Sequence, residues 1–176
     1  MRDRESRESA YQGALRRLAR RDHSEAEIRK ALGKSHPESD VDDAIRRLRE
    51  ERYLDDAGFA ARFARNRLAH QGQGRYRIRQ ALRAKGVSGP TVEKGLEAAL
   101  SEVSETAALE AMARRYWRQR TGDDPRLRMR RLWAALVRRG FPAGLVSERI
   151  AALWPRWKGA VAGLEAPATE ETVGEA

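Results

Sequence analysis

Residues 78–96, IRQALRAKGVSGPTVEKGL, and residues 132–150, LWAALVRRGFPAGLVSERI, carry one pattern twice at a constant offset of 54. Ile78 and Leu82 pair with Leu132 and Leu136, Gly86-Val87 with Gly140-Phe141, and Val92 and Leu96 with Val146 and Ile150. Apolar residues four apart mark one face of a helix. A Gly just beyond the last of them supplies the left-handed residue that ends such a helix. Apolar spacing then resumes, so each stretch reads as helix, Gly stop, helix. A looser copy lies upstream, with Ile28, Leu32, Val41 and Ile45 offset by 50 or 51. Pro37, Pro90 and Pro142 fall in the corresponding turns, and His36 stands where the later copies have Gly86 and Gly140.

A period near 50 residues is the mark of a repeat architecture, in which each unit covers the apolar face of the next. The expectation is an all-α chain of three tandem three-helix repeats stacked into a curved, elongated body. Its divisions fall at a disordered arm over 1–9, repeats over 10–54, 55–106 and 107–157, and a disordered acidic tail over 158–176. No segment alternates with period two, so no strand is expected. The first helix is expected from about Tyr11 to Arg20. Ser24-Glu25-Ala26-Glu27 has the form of a capping box, and Asp55 or Asp56 is suited to cap the helix that follows. Phe59 and Phe63, four apart on that helix, are expected in the core with Leu82.

Composition narrows the function. The 176 residues include no Cys, which removes disulfides, thiolate metal sites and Cys nucleophiles and fits a reducing compartment. No apolar run approaches a bilayer span and no apolar segment follows the charged N-terminus, so a cytoplasmic protein without membrane or secretory signal is expected. The formal net charge of +10 points to a partner rich in phosphate or carboxylate. The charge is uneven: residues 1–54 carry net +2, 55–106 net +3, 107–164 net +9 and 165–176 net −4. Between Asp56 and Glu93 there are eight basic residues and no acidic one.

Most motifs of catalytic type dissolve on inspection. Gly33-Lys34-Ser35 resembles the end of a P-loop, but Ile28 stands where that loop needs its first Gly and the flanking segment is helical. Gly72-Gln73-Gly74 lacks the third Gly and the strand of a dinucleotide site. His23, His36 and His70 have no partner at metal-ligand spacing. The doublets Asp42-Asp43, Asp55-Asp56 and Asp123-Asp124 read as caps and loop charges, because neighbours on a helix diverge. No enzyme, cofactor or metal is expected.

The basic residues remain. Arg75, Arg79 and Arg83, four apart, form a row beside the apolar face of the helix over 75–85, with Lys85 at its end. Arg62 and Arg65 lie on the preceding helix, away from the Phe side. Arg114, Arg115, Arg118 and Arg131 continue the series in the third repeat, with Arg126, Arg128 and Arg130. Lacking acidic neighbours in sequence, the row is expected to escape local neutralisation and to form a surface for an anionic partner. Tyr76, Tyr116 and Trp117 lie near these cations and could stack on bases, or could be core and rim residues. A solvated face is the ordinary alternative for any such row.

Tyr53-Leu54-Asp55-Asp56 with Phe59, followed by Gly74, Ile78, Leu82 and Lys85-Gly86-Val87, resembles the signature of the RecX family, and Leu132, Leu136 and Gly140-Phe141 resemble its last repeat. The resemblance covers roughly residues 10–154. It implies a non-enzymatic regulator of the RecA recombinase, usually an inhibitor, with roles in DNA repair, homologous recombination and the SOS response. It also implies binding in the groove of the RecA filament on single-stranded DNA, with no catalytic residues. A stand-alone DNA-binding protein of helix-turn-helix type is the second reading, and an RNA-binding helical repeat the third. The divergent repeats and the lack of an obvious dimer seam favour a monomer over a dimer on paired half-sites.

Overall fold

The computed structural model describes residues 2–119, 124–157, 159 and 164, with side chains from residue 5 onward and not at Trp157. Its described residues are all-α, without a strand. In chain order the helices are α1 (Arg2–Leu18), α2 (Glu25–Leu32), α3 (Glu38–Glu50), α4 (Asp56–Gln71), α5 (Arg75–Ala84), α6 (Gly89–Glu102), α7 (Glu105–Gln119), α8 (Pro125–Arg138) and α9 (Ala143–Leu153). A 3-10 turn, Pro155–Trp157, follows α9. They form three three-helix repeats. No described helix is long and apolar enough to cross a membrane. The acidic tail expected over 158–176 lies outside the described residues, apart from Gly159 and Leu164, as does Asp123 of the Asp123-Asp124 doublet.

The described residues pack as two compact units, one within residues 1–65 and 79–99 and the other within residues 66–78 and 100–176. The middle repeat is therefore shared between two units and makes none of its own. Its helices α4, α5 and α6 each run from one unit into the other.

In the first unit, α1, α2 and α3 bury Ala10, Tyr11, Ala14, Ile28, Leu32, Val41, Ala44, Ile45, Leu48 and Leu54 in one cluster. Ser24 caps α2 as the sequence predicts: its hydroxyl accepts from the Glu27 amide at 3.1 Å and the Glu27 carboxylate accepts from the Ser24 amide at 3.2 Å. Of the expected disordered arm over 1–9, the described residues 2–9 are helical instead, and α1 starts at Arg2 rather than near Tyr11. Apolar periodicity misses this segment because polar contacts with α3 hold it. Ser6 Oγ donates to Asp40 at 2.5 Å, Arg7 lies 3.5 and 3.3 Å from Asp40 and Asp43, and Glu8 lies 3.1 Å from Arg47. The Arg47 guanidinium covers the Tyr11 ring at 3.7 Å. Phe59 and Leu82 are buried, but Phe63 is only half-buried, its ring 5.9 Å from that of Phe59 and 5.7 Å from the Lys85 ammonium.

In the second unit, Leu109, Ala113, Met129, Leu132, Trp133, Leu136, Phe141, Val146 and Ile150 form the core. Asp124 accepts from the Arg126 and Leu127 amides to cap α8, whose first residue is Pro125. Trp133 Nε1 donates to Ser147 Oγ at 2.9 Å, which satisfies the one polar atom of that buried ring.

The stop at Gly86 and the stop at Gly140 have the same hydrogen bonds. Val87 N donates to Leu82 O at 3.2 Å and Gly86 N to Arg83 O at 2.8 Å; Phe141 N donates to Leu136 O at 3.3 Å and Gly140 N to Val137 O at 2.8 Å. This is the Schellman arrangement, and it needs a positive φ at the Gly, here 78° and 88°. His36 is not among the positive-φ residues, so the first repeat turns without this device.

Candidate functional site

Each Gly stop is pressed against the first turn of an earlier helix in its own unit. A Cβ on Gly86 would lie 2.3 Å from Ala26 Cβ on α2; a Cβ on Gly140 would lie 2.3 Å from the Arg77 amide on α5. Polar bonds lock both joints. Ser24 Oγ donates to Lys85 O at 2.5 Å, while Gly74 N donates to Arg139 O at 2.9 Å and Tyr76 N to Gly140 O at 3.0 Å. A carboxylate from the helix that opens the next repeat completes each joint. Asp56 Oδ1 accepts from the Glu25 amide at 2.9 Å, and Glu105 Oε1 accepts from the Arg75 amide at 2.8 Å. Burial raises the Asp56 pKa, against the lowering effect of that amide bond.

These joints explain most of the family-motif residues as structural. Leu54, Phe59, Ile78 and Leu82 are buried. Asp55 caps α4, accepting from the Ala57 and Gly58 amides at 3.1 and 3.0 Å. Gly74 must lack a side chain, since a Cβ there would meet the Gly140 carbonyl at 2.3 Å. Tyr53 is the exception, being 56% exposed.

Two members of the expected basic row, Arg75 and Arg79, and Arg62 on the preceding helix are held in separate ion pairs. Arg75 places its guanidinium on buried Glu105 at 2.6 Å, Arg79 grips Glu93 through two bonds of 2.7 and 2.8 Å, and Arg62 bonds Asp22 at 2.8 Å. Lys85 bonds Glu27 at 2.7 Å. The bond from Arg79 lowers the Glu93 pKa, with burial acting against it. Absence of acidic residues nearby in sequence thus fails to predict neutralisation, because the partners come from other helices. Arg65 and Arg83 are exposed, as are Arg114, Arg115 and Arg118 on the last turns of α7 and Arg131 on α8. Among the described residues no ion pair holds Arg83, Arg114, Arg115, Arg118, Arg126 or Arg130. Arg115 lines a cleft of about 270 Å³ with Arg139, Tyr116 and Met112. Trp117 is engaged in packing, its ring 5.3 Å from Trp154 and covered at 3.6 Å by Arg128. Tyr76 is 40% exposed.

The first unit holds a feature that sequence reading misses. A groove of about 880 Å³ is walled by Arg17, Arg20, Arg21, Lys30, Lys34 and Lys85, with Glu27 as its one carboxylate. Burial would raise the Glu27 pKa, but bonds from Arg21 and Lys85 outweigh it and hold the pKa at about 2. Of the expected cations only Lys85 lies here. The net +2 of residues 1–54 conceals the groove, because Asp40, Asp42 and Asp43 sit on α3 while these cations gather on the end of α1 and on α2 and the turn beyond it. The spacings Arg17-Arg20-Arg21 and Lys30-Lys34 are the signal that could reveal it. No group of His, Cys, Asp and Glu suited to a metal ion occurs among the described residues.

Three family models match in chain order: the RecX first three-helix domain over residues 10–48, the second over 55–96 and the third over 104–150. A solved structure described as regulatory protein RecX is similar at 26% identity and a TM-score of 0.70, covering 80% of this chain and 69% of its own. RecX from Lactobacillus salivarius superposes with a TM-score of 0.73 at 18% identity, over 85% of this chain and 97% of its own, and shows the fold. No curated protein is a significant sequence match.

Proposed function

We propose that this chain, which belongs to the RecX family, inhibits a RecA-type recombinase by binding the filament that the recombinase forms on single-stranded DNA. The observation that carries the reading is the ordered match of all three family domains, from residue 10 to residue 150. The net charge of +10 supports it, since the partner is a polyanion sheathed in protein. In this reading the protein acts as a cytoplasmic monomer, catalyses no reaction itself and needs no cofactor. Filament contacts come from exposed cations such as Arg83, Arg114, Arg115, Arg118 and Arg131.

The helix-turn-helix alternative needs a basic helix to enter the major groove. The helices that close the repeats are poorly suited to that. α3 carries Glu38, Asp40, Asp42, Asp43 and Glu50 against three Arg residues, α6 carries Glu93, Glu97 and Glu102 against Lys94 alone, and α9 has only Glu148 and Arg149. The deciding experiment is recombinase-catalysed ATP hydrolysis on single-stranded DNA with and without this protein. A fall at protein concentrations too low to coat bare DNA is expected. Unchanged hydrolysis and strand exchange at equimolar protein would overturn the reading.

A further inference from the structure

The groove of the first unit asks for an anion. Its six cations face one carboxylate, Glu27, which already accepts from Arg21 and Lys85. Cations commonly gather at helix C-termini merely to answer the roughly half negative charge there. The groove receives such ends from α1, α2 and α5, and together with Glu27 they offset fewer than half of the six positive charges. The surplus sits on solvent-facing heads. Arg20, Lys30 and Lys34 are exposed, and among the described residues none of them is in an ion pair. Arg17 is partly tethered, donating to Gly13 O at 2.8 Å.

The walls also indicate the kind of polyanion. Beside the charged groups they offer only Ala26, Ala31, Ala84, Gly86 and His23. A docked protein segment draws its affinity from an aromatic or aliphatic anchor in a pocket, and nothing here receives one. Nor is there a Phe, Tyr or Trp on which bases could stack in series. A chain of phosphates needs neither.

We infer that the groove walled by Arg17, Arg20, Arg21, Lys30, Lys34 and Lys85 is a track for the sugar-phosphate backbone of a single nucleic-acid strand, read without base preference. The inference rests on the reading above for which strand it meets, but the groove's chemistry stands without it.

The test is binding of a short labelled oligothymidylate to the full chain across a salt series. The triple variant Arg20→Ala, Lys30→Ala, Lys34→Ala keeps the wild-type melting curve, since it breaks no described ion pair. Its affinity falls at least roughly tenfold, and the slope of log affinity on log salt shrinks by about 2, from about 0.7 for each phosphate no longer neutralised. Lys30→Arg with Lys34→Arg retains the wild-type slope, because charge is what the groove supplies. Oligoadenylate and oligothymidylate show the same salt slope. A folded triple variant with wild-type affinity and slope overturns the inference. So does one that binds the oligonucleotide normally but loses the recombinase filament, which would make the groove a seat for an acidic protein segment. Wild-type protein that binds the oligonucleotide through this groove yet leaves recombinase ATP hydrolysis unchanged overturns the proposed function and keeps the track.

Discussion

Glu105 holds Arg75 twice: one carboxylate oxygen accepts the Arg75 backbone amide at 2.8 Å and the other accepts its Nε at 2.7 Å. The residue that opens α7 therefore caps α5, just as Asp56, which opens α4, caps α2 through the Glu25 amide. Glu105 is only 5% exposed, and its carboxylate covers the Arg75 amide in a partly buried bond.

Glu105→Ala is expected to destabilise the protein by about 1–3 kcal/mol, combining a missing helix cap with a partly buried donor left unpaired. Glu105→Gln retains an oxygen for the Arg75 amide and loses less. Urea titration followed by circular dichroism measures both. Equal losses would show that the charge on Arg75, not the cap, is what matters.

The two Gly stops predict a contrast. Gly140→Ala forces a Cβ at φ 88° to within 2.3 Å of the Arg77 amide, and Gly86→Ala forces one at φ 78° to within 2.3 Å of Ala26 Cβ. Each is expected to cost about 2–4 kcal/mol, from left-handed strain and overpacking together. Gly89→Ala meets nothing within 4 Å at the start of α6 and is expected to be neutral or to stabilise by up to about 1 kcal/mol. Thermal melts of the three variants give the ranking.

Local devices were legible in the sequence, and long-range polar ones were not. Gly86 and Gly140 announce their turns because only a residue without Cβ sits comfortably at positive φ. Ser24 and Glu27 announce a cap because their spacing is the cap's own geometry. The start of α1 was hidden, since Ser6, Arg7 and Glu8 are held by Asp40, Asp43 and Arg47 across the fold and not by an apolar stripe. The ion pairs of Arg62, Arg75 and Arg79 were hidden for the same reason, their partners lying 40, 30 and 14 residues away. Phe63 had helical spacing to Phe59, but spacing places a ring on a face and cannot say how deeply that face is covered.

The Glu27 carboxylate gives the protein an acid-sensitive contact. Its folded-state pKa of about 2 lies below the ordinary 4.5, so its contribution to stability is complete above about pH 4.5 and is lost as pH falls toward 2. Glu27→Gln is expected to flatten the decline in melting temperature over that window while leaving the decline from other carboxylates. Lys85→Ala flattens it less, since Arg21 still lies 3.2 Å from Glu27. An unchanged slope in Glu27→Gln would place the acid sensitivity elsewhere.

Ion pairing separates the cations that build the protein from those left to bind. Arg75→Ala uncovers buried Glu105 and is expected to lower stability by about 1–3 kcal/mol, with any loss of filament binding following from that. Arg114, Arg115 and Arg118 are exposed on α7, and among the described residues no ion pair holds them. Their triple replacement by Ala is expected to leave the melting curve unchanged, because Leu109 and Ala113 carry the helix's buried face. Binding to the recombinase filament should nonetheless weaken, and inhibition of ATP hydrolysis should need more protein. If these side chains meet phosphate, the salt slope of binding to bare single strands shrinks by about 0.7 for each phosphate released. If they meet carboxylates of the recombinase, bare-strand binding is unchanged while filament binding falls. A folded triple variant that inhibits as the wild type does would make this stretch of α7 a solvated face, and the filament-binding cations would then have to be sought at Arg83 and along the groove of the first unit.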